Sequence, residues 1–560
     1  MSPSHHHHRI LTVTIIALAA LLCPASSNAD DYVSRVWVAD QGDGTYINPI
    51  IHADYSDPDV IAVGDDFFMT ASSFACAPGL PVLHSRDLVN WEIVNYAVKS
   101  LQPADFYSVP RHGKGVWAPS IRYHNGEYYI YWGDPDWGIF MVKSFDPYGE
   151  WEKPVLVQAA KGIIDTTPLW DDDGKAYLVY AWAGSRAKFN SVVTVSEMSP
   201  DGTRLIGDPV MVFDGNDGIN HTVEGPKFYK RNGYYYILAP AGGVDKGWQI
   251  ALRSRSPFGP YEMRRVMEQG DTDINGPHQG GLVDTNSGQS WFIHFQDKGL
   301  YGRVLHLNPV TWVDDWPVIG SDSDNDGCGN PVSRYRKPDV GRTYPVTTPA
   351  ESDDFSSTRL GLQWEWHANY RPEFGFPAPY GYMRVYGHEL SENFVNLWEV
   401  PNLLLQKFPA EEFTVTAKVK ISSKADGQQS GLIVMGHDYC TLGLEKNGEK
   451  FDLVQTVCHD AEQGGAETRT LVTDMSPSRR YEAGLRPNYE RDIYLRVRVD
   501  KGGKCTFSYS LDGLKFIDTK IPFTARQGKW IGAKTGIFSI QPNGVDRGWI
   551  DIDSFIIDRN

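Results

Sequence analysis

The stretch KFYKRNGYYYILAP at residues 227–240 has the form of a β-hairpin, because two aromatic and apolar runs flank an Asn-Gly turn. Glycine accepts the positive φ that tight turns require, so Asn-Gly and Asp-Gly are strong hairpin signals. Four more stretches share this form: VIAVGDDFFMTA at 60–71, IRYHNGEYYIYW at 121–132, PLWDDDGKAYLVYAW at 168–182 and LVDTNSGQSWFIHF at 282–295. A repeated hairpin therefore decides the fold of this part of the chain.

The spacing of the hairpins predicts a β-propeller. Successive turn glycines are 62, 48, 59 and 55 residues apart, at Gly64, Gly126, Gly174, Gly233 and Gly288. This is close to the length of a four-stranded propeller blade with long loops. We therefore expect a five-bladed propeller within residues 30–333.

The sequence pattern changes after Val332. Residues 334–352 contain three prolines and no periodic apolar pattern, which predicts a linker or an ordered crossover. From 353 to 560, stretches with period-two alternation dominate, such as FTVTAKVKI at 413–421 and IYLRVRVD at 493–500. They predict a second all-β domain, a β-sandwich.

Composition narrows the class of partner. The 560 residues include 53 Lys and Arg against 70 Asp and Glu, a formal net charge of −17. Phosphate backbones and anionic lipid repel such a chain, so nucleic acid is not expected as a partner. Aromatic residues make up 12% of the chain, which is typical of β-rich proteins whose grooves hold flat apolar ligand faces, including those of sugars.

Residues 1–29 are predicted to be a secretory signal peptide. An apolar run at 10–22 follows Arg9 and precedes the small-x-small pattern at 27–29. The run is too short for a comfortable bilayer crossing, so we expect no transmembrane span in the mature chain and a secreted or periplasmic location. A lipid anchor at Cys23 is the alternative, although Leu22 fits poorly where such sites carry a small residue.

The five later cysteines, at positions 76, 328, 440, 458 and 505, include no CxxC pair and no zinc-ligand spacing. Cys440 and Cys458 each lie eight residues from the segment 448–450. A hairpin closing at that segment would place them opposite each other, and an oxidising compartment would permit a disulfide. The sequence leaves this pairing open.

Propeller blades converge on a central channel, so residues at equivalent blade positions meet around one axis. Five candidate residues precede the turn glycines by 7 to 10 positions: Asp57, Trp117, Asp165, Glu224 and His278. A lone aspartate before a strand is usually a turn cap. Three carboxylates in register are harder to explain structurally, since like charges gathered at a channel mouth destabilise a fold. We therefore predict a shared acidic site.

Six stretches carry a resemblance to a known family: NPIIHADYSDPDV at 48–60, WAPS at 117–120, IIDTTPLWDDDGKAYLVY at 163–180, HTVEGPKFYKRNGYYYIL at 221–238, GPHQGGLVDT at 276–285 and YGRVLHLNPVTW at 301–312. The chain resembles glycoside hydrolase family 43, in particular its β-xylosidase and α-L-arabinofuranosidase branch. The resemblance covers nearly the whole mature chain. It implies an all-β protein, with a five-bladed β-propeller followed by a jelly-roll, concanavalin-like β-sandwich.

The resemblance also implies roles for the three carboxylates. Asp57 would be the general base and Glu224 the general acid, while Asp165 would raise the pKa of the acid and orient it. Glycoside hydrolysis needs one protonated carboxyl at the leaving oxygen and one ionised carboxylate that activates water. In an inverting enzyme the two groups lie about 6.5 to 9.5 Å apart, which leaves room for the water.

Three further positions are implied to face the substrate. Arg303 would hydrogen-bond to sugar hydroxyls, and Trp117 would form an apolar wall. His278 would either contact substrate in the channel or bind a structural Ca²⁺ there, and no organic cofactor is expected. The chain departs from the family at Ser56 and Thr166, where proline is common, but neither change removes a functional group.

A separate acidic run, Asp322, Asp324 and Asp326 with Gly327, resembles the start of a calcium loop. Position twelve of that loop would be Ser333, whereas calcium loops of this kind require a bidentate glutamate. We interpret the run as an acidic turn.

The function implied is an inverting, exo-acting hydrolase that releases xylose or arabinofuranose residues, with β-xylosidase favoured. Its substrates would be xylan-, arabinoxylan- or xyloglucan-derived oligosaccharides. An α-L-arabinofuranosidase of the same fold is the first alternative, because the two sugars present similar hydroxyl patterns. A secreted carbohydrate-binding propeller without catalysis is the alternative from another class, and the presence of all three carboxylates argues against it.

Overall fold

The computed structural model describes residue 1, residues 32–476 and residues 489–560. The signal peptide predicted over residues 1–29, apart from residue 1, and the alternative lipid-anchor site at Cys23 lie outside the described residues. No helix among the described residues is long and apolar enough to cross a bilayer.

The first part of the chain forms five four-stranded antiparallel sheets, each built from consecutive strands. Strand β1 (Thr45–Ile47) precedes the first sheet. The sheets comprise β2 (Asp59–Val63), β3 (Asp66–Thr70), β4 (Gly79–Ser85) and β5 (Trp91–Val98); β6 (Trp117–His124), β7 (Glu127–Asp134), β8 (Gly138–Ser144) and β9 (Val155–Ala159); β10 (Ile163–Trp170), β11 (Ala176–Trp182), β12 (Val192–Met198) and β13 (Val210–Asp214); β14 (Lys227–Arg231), β15 (Tyr234–Ala241), β16 (Trp248–Ser254) and β17 (Glu262–Met267); β18 (His278–Asp284), β19 (Ser290–Asp297), β20 (Arg303–Val313) and β21 (Trp316–Ile319).

The five sheets are the blades of a closed propeller. Strand β2 contacts β6, β6 contacts β10, and β10 contacts β14, while β18 contacts both β15 and β2. The first strands of the blades therefore surround a common axis. Closure is reinforced by the segment before the first blade, because Ile51 bridges to Leu305 in the last blade.

The predicted hairpins are the first two strands of each blade. All five turn glycines adopt positive φ, from +62° at Gly64 to +85° at Gly126 and Gly174, and a Cβ would meet little or nothing there. Conformation, not lack of space, therefore requires glycine at these turns.

The segment between the domains is ordered in part. Strand β22 (Arg334–Arg336) pairs with β1. Further along, the hydroxyl of Thr348 accepts a hydrogen bond from the backbone N–H of Ser34, and Glu351 accepts another from that of Arg35. The residues predicted as a linker or an ordered crossover therefore form hydrogen bonds with the N-terminal segment.

The C-terminal part is a sandwich of two eight-stranded sheets. Its strands are β23 (Glu365–Trp366), β24 (Gly375–Ala378), β25 (Tyr382–Tyr386), β26 (His388–Glu389), β27 (Leu404–Lys407), β28 (Phe413–Ser422), β29 (Gln429–Met435), β30 (Tyr439–Asn447), β31 (Lys450–Cys458), β32 (Glu467–Asp474), β33 (Tyr489–Asp500), β34 (Lys504–Ser510), β35 (Ile517–Asp518), β36 (Phe523–Thr524), β37 (Lys534–Gln541) and β38 (Trp549–Asp558). One sheet contains β23, β26, β27, β29 to β32 and β37, and the other contains β24, β25, β28, β33 to β36 and β38.

The alternation seen in the sequence explains the sandwich core. Along β28 the residues Phe413, Val415, Ala417 and Val419 are fully buried, while the residues between them are not. Successive side chains of a strand point to opposite faces, so one face of the sheet packs inward. The fold predicted from the sequence, a five-bladed propeller followed by a sandwich, is confirmed.

Helices are short wherever the structure describes the chain. The α-helix α1 (Gly184–Ala187) lies in the third blade. The 3₁₀ helices are Phe106–Ser108, Gly299–Tyr301, Pro372–Phe374, Leu397–Glu399 and Ala461–Gln463.

The disulfide considered between Cys440 and Cys458 does not form. The hairpin turn consists of two residues, since Asn447 pairs with Lys450, and this register places Cys440 opposite Val457. Adjacent residues of a strand face opposite sides, so Cys458 points away from Cys440. All five described cysteines have free thiols.

Candidate active site

A small pocket at the propeller axis contains the predicted acidic residues. Asp57, Trp117, Asp165, Glu224 and Arg303 all line it, and its volume is about 110 Å³. Each lies at or next to the beginning of a strand: Asp57 before β2, Trp117 at the start of β6, Asp165 in β10, Glu224 before β14, and Arg303 at the start of β20. The blade repeat therefore brings together residues that are far apart in the sequence.

The backbone of the pocket is unusual. Asp57, Phe74, Ala118, Asp165 and Trp530 all have positive φ, between +36° and +64°. For residues with a side chain this conformation costs on the order of 1–3 kcal/mol each, and it persists only where the surrounding structure enforces it. The fold thus tolerates strain in order to direct these groups into the pocket.

β-Bulges contribute to this arrangement in three blades. The pairing register shifts between Trp117 and Ser120, between Ile164 and Thr167, and between His278 and Gly280. A bulge inserts an extra residue and re-aims side chains. All three bulges lie at the end of the first strand that faces the pocket.

Asp57 is held by hydrogen-bond donors. The hydroxyls of Ser56 and Ser72 each donate to its Oδ2 at 2.6 Å, and the guanidinium of Arg303 lies 3.3 Å from its Oδ1. Arg303 also donates to the Ser56 hydroxyl at 2.7 Å, and Ser72 accepts from the backbone N–H of Ala118 at 2.8 Å. These donors and the guanidinium fix the orientation of the carboxylate in the pocket. The serine that replaces the common proline at position 56 therefore adds a bond to this group.

Glu224 has the opposite environment. Burial, followed by the charges of Asp165 and Asp57, raises the pKa of Glu224 to about 8, against a lowering effect of Arg303. The side chain keeps 32% of its surface exposed, toward the pocket. Near neutral pH this carboxyl therefore carries a proton that it can donate.

Asp165 lies beside the acid and is 4% exposed. Its Oδ2 accepts the backbone N–H of Gly225 at 2.7 Å, which fixes it next to the peptide that follows Glu224. Burial raises the pKa of Asp165; this hydrogen bond opposes the shift, and the charge of Asp57 adds to it.

Trp117 forms one wall of the pocket. Its indole Nε1 donates to the Gly113 carbonyl at 3.2 Å, and the guanidinium of Arg186 lies 5.4 Å from the ring centre. The Gly113 carbonyl and the Arg186 guanidinium therefore hold the indole ring in place, and one side of the ring is available to a ligand.

His278 lies behind Glu224 and does not line the pocket. It has no exposed surface, stacks on Phe295 with ring centres 5.3 Å apart, and places Nε2 3.6 Å from Glu224 Oε1. Burial lowers the pKa of His278 well below its usual range, so the ring is neutral and forms no ion pair with Glu224. The ring therefore contacts the acid, and its contact with substrate stays a prediction.

The residues around His278 do not by themselves provide a calcium site. Ca²⁺ takes six to eight oxygen ligands, and Glu224 is the one carboxylate within 4.0 Å of this ring among the described residues. The channel calcium ion stays a prediction, and no step below is assigned to a metal. Asp322, Asp324 and Asp326 do cluster, with carboxylate oxygens within 4.8 Å of one another. Asp324 and Asp326 are exposed.

Five pocket residues were not identified from the sequence: Phe74, Ala118, Ile164, Gln279 and Trp530. Gln279 is 3% exposed, and its amide Nε2 has no hydrogen-bond partner among the described residues. An unpaired buried donor is costly, so this amide is available to a ligand hydroxyl. Trp530 comes from the sandwich and lies 6.0 Å from Arg303, measured from ring centre to guanidinium carbon.

The fold and the site define a class: a propeller glycoside hydrolase with carboxylates at its axis and a concanavalin-like sandwich behind it. Residues 46–317 match the profile of Glycosyl hydrolases family 43, and residues 352–558 match that of the Beta xylosidase C-terminal Concanavalin A-like domain. The chain belongs to glycosyl hydrolase family 43 and is a glycosidase.

Individual relatives agree with this assignment. A β-xylosidase of Formosa agariphila is 33% identical over 569 residues, covering 93% of this chain and 91% of that protein. A non-reducing end α-L-arabinofuranosidase of Bacteroides ovatus is 30% identical over 438 residues, covering 74% of this chain and 79% of that protein. The crystal structure of a xylan β-1,4-xylosidase from Bacillus halodurans shares the fold, with a TM-score of 0.78 at 22% identity over 92% of this chain and 100% of that one.

Proposed function

We propose that the protein is an inverting, exo-acting β-xylosidase that releases xylose from xylan-, arabinoxylan- or xyloglucan-derived oligosaccharides. The observation that carries the proposal is the contrast between two carboxyls of one pocket. Asp57 accepts hydrogen bonds from two hydroxyls and lies beside a guanidinium, whereas burial and the charges of Asp165 and Asp57 raise the pKa of Glu224. Two carboxyls whose environments differ in this way suit the roles of base and acid.

Asp57 acts as the general base in this mechanism. Its ionised carboxylate takes a proton from a water molecule that attacks the anomeric carbon. Arg303 and the two serine hydroxyls hold the carboxylate in position and bind its charge. Inversion follows if the water lies between Asp57 and the sugar, which needs about 6.5 to 9.5 Å between the two catalytic carboxyls.

Glu224 acts as the general acid and protonates the leaving oxygen as the glycosidic bond breaks. When Asp165 is ionised, its negative charge raises the pKa of Glu224 and so favours the protonated acid. The neutral ring of His278 supports the same state, because a charged imidazole there would favour the ionised glutamate.

Two features favour release of single sugars. The pocket is small, and Trp530 from the sandwich narrows it beside Arg303. Trp117 offers an apolar face to the sugar ring, and the amide of Gln279 offers a hydrogen bond to a hydroxyl.

An α-L-arabinofuranosidase remains the second candidate, favoured by the Bacteroides ovatus relative. The β-xylosidase of Formosa agariphila covers more of this chain at higher identity, which supports xylose. A carbohydrate-binding propeller without catalysis would not need to keep one carboxyl protonated and another ionised.

The test is hydrolysis of 4-nitrophenyl β-D-xylopyranoside and 4-nitrophenyl α-L-arabinofuranoside by the wild type and by Glu224→Gln. Glu262→Gln, a change on the outer strand β17, is the matched control. We expect xyloside hydrolysis that is lost in Glu224→Gln and retained in the control. Preference for the arabinofuranoside would favour the second candidate, and no hydrolysis of either substrate would contradict both.

We also propose that the mature chain acts outside the cytoplasm, in the periplasm or the medium. The support is the signal-like pattern of residues 1–29. Mass spectrometry of the exported protein should give an N-terminus at about Asp30, whereas an acylated N-terminal Cys23 would favour the lipid-anchored alternative.

A further inference from the structure

Asp54 is a buried carboxylate that lies between the two domains. It is 5% exposed. Its Oδ1 accepts the backbone N–H of Arg303, and its Oδ2 accepts the backbone N–H of Gly532, each at 2.9 Å. One side chain thus binds the peptide of the pocket arginine and a peptide of the sandwich.

The sandwich segment bound in this way, residues 526–533, is here named the strap. It connects β36 to β37 and carries Trp530 into the acidic pocket. Trp530 has a φ of +64°, a strained conformation for a bulky residue, which the surrounding structure must enforce. The strap also forms a tight turn, in which the N–H of Gly528 donates to the carbonyl of Ile531 at 2.8 Å.

Backbone packing around Asp54 leaves no room for side chains. A Cβ on Gly532 would lie 2.7 Å from the backbone nitrogen of Gly302, and a Cβ on Gly302 would lie 2.5 Å from the carboxyl carbon of Asp54. The N–H of Ala533 donates to the Leu300 carbonyl at 2.7 Å. The strap and residues 300–303 of the propeller are therefore in direct backbone contact.

We propose that Asp54 is a positioning residue that couples the sandwich to catalysis, because it holds Arg303 and the strap in one fixed arrangement. Arg303 contacts the base Asp57, and Trp530 forms a wall of the pocket, so Asp54 sets two sides of the site without touching substrate. The role in catalysis rests on the proposed function. The structural coupling does not.

Asp54→Asn tests the coupling with little change in shape. Asparagine has one side-chain oxygen, so its NH₂ group must face either the Arg303 N–H or the Gly532 N–H, and one bond is lost. Gly532→Ala is the second variant, since it displaces the strap but leaves Asp54 intact. Glu351→Gln is the matched control: Glu351 is also 5% exposed and accepts a backbone N–H, that of Arg35 at 3.1 Å, but it does not line the pocket.

Amide hydrogen exchange measures the coupling without substrate. A hydrogen bond to a charged group corresponds to about a 10- to 100-fold change in an equilibrium. We expect amide exchange in the strap to rise about 10-fold or more in Asp54→Asn and Gly532→Ala, and to stay unchanged in Glu351→Gln. Unchanged strap exchange in both test variants would overturn the coupling, whatever the enzyme hydrolyses.

Kinetics test the role in catalysis. Gly532→Ala displaces the strap alone and should raise KM with little effect on kcat, because Trp530 lines the pocket where substrate binds. Asp54→Asn should change both, since Arg303 supports the base. In a Trp530→Ala background, Asp54→Asn should raise KM much less than in the wild type, because coupled residues are not additive. Fully additive effects, or a fall in thermal stability with KM and kcat unchanged, would overturn the positioning role.

Discussion

Replacing Asp165 with asparagine should move the alkaline limb of the pH–rate profile to lower pH. The side chain accepts the Gly225 N–H at 2.7 Å through one oxygen, and asparagine presents a carbonyl oxygen that can keep this bond. The substitution therefore removes a negative charge next to Glu224 while retaining the local structure.

The size of the shift follows from the causes of the raised pKa. After burial, the charge of Asp165 is the largest contribution that raises the pKa of Glu224 to about 8. A neighbouring like charge at a partly buried site is worth about 1 to 2 pKa units, or about 1.4 kcal/mol for each unit. The acid works in its protonated form, so activity is present below its pKa and lost above it. A pKa of about 6.5 would leave roughly a quarter of the acid protonated at about pH 7, compared with roughly nine tenths in the wild type.

The assay is kcat/KM for 4-nitrophenyl β-D-xylopyranoside across the acidic to alkaline range, for the wild type and Asp165→Asn. Asp172→Asn is the matched control, because Asp172 lies on the surface with its side chain 92% exposed. The alkaline limb of Asp165→Asn should move down by about one to two pH units, while that of the control stays in place. A limb that stays in place, or moves up, in Asp165→Asn would refute the assignment of Glu224 as an acid tuned by Asp165.

Three further predictions use other features of the structure. Glu224→Gln should lower kcat by about 10²- to 10⁴-fold. It should also raise Tm at alkaline but not at acidic pH, because a carboxyl with a raised pKa costs stability once the pH exceeds its ordinary pKa. Calorimetry at acidic and alkaline pH measures this, and an equal change in Tm at both would contradict it. Gln279→Ala should raise KM about 10-fold by removing a free amide donor, so an unchanged KM in steady-state kinetics would contradict its substrate contact. Reducing agent should leave Tm unchanged, since the described cysteines are unpaired, and a lower Tm in a thermal melt would show a disulfide.

The repeat explains why much of the site could be predicted from the sequence. Counting back from the turn glycines placed Asp57, Trp117, Asp165 and Glu224 at equivalent blade positions, and all four line the pocket. Regular hairpins preserve such counts because each strand advances by a fixed rise per residue. The fold class followed from the same periodicity.

Other parts of the site depend on features that the number of residues before each turn glycine does not reveal. Gln279 enters the pocket because it is the extra residue of a β-bulge, between His278 and Gly280, and the same bulge leaves His278 buried. Trp530 reaches the pocket from another domain, through contacts that are hundreds of residues apart in the sequence. Neither position carries a local signal.

A shift of one residue accounts for the cysteine result. A three-residue turn at 448–450 would have paired Cys440 with Cys458, but the turn has two residues, so Cys440 faces Val457 instead. In a β-hairpin such a slip moves a side chain to the opposite face. Hairpin register is therefore less predictable from sequence than the existence of the hairpin.

The most direct measurement is proton NMR of the sugar first released from a β-xyloside. An ionised Asp57 that activates water opposite a protonated Glu224 predicts α-xylose as the initial product, which then mutarotates to the equilibrium mixture. Initial release of β-xylose would contradict this account, because it requires one of the pocket carboxylates to form a covalent bond to the sugar.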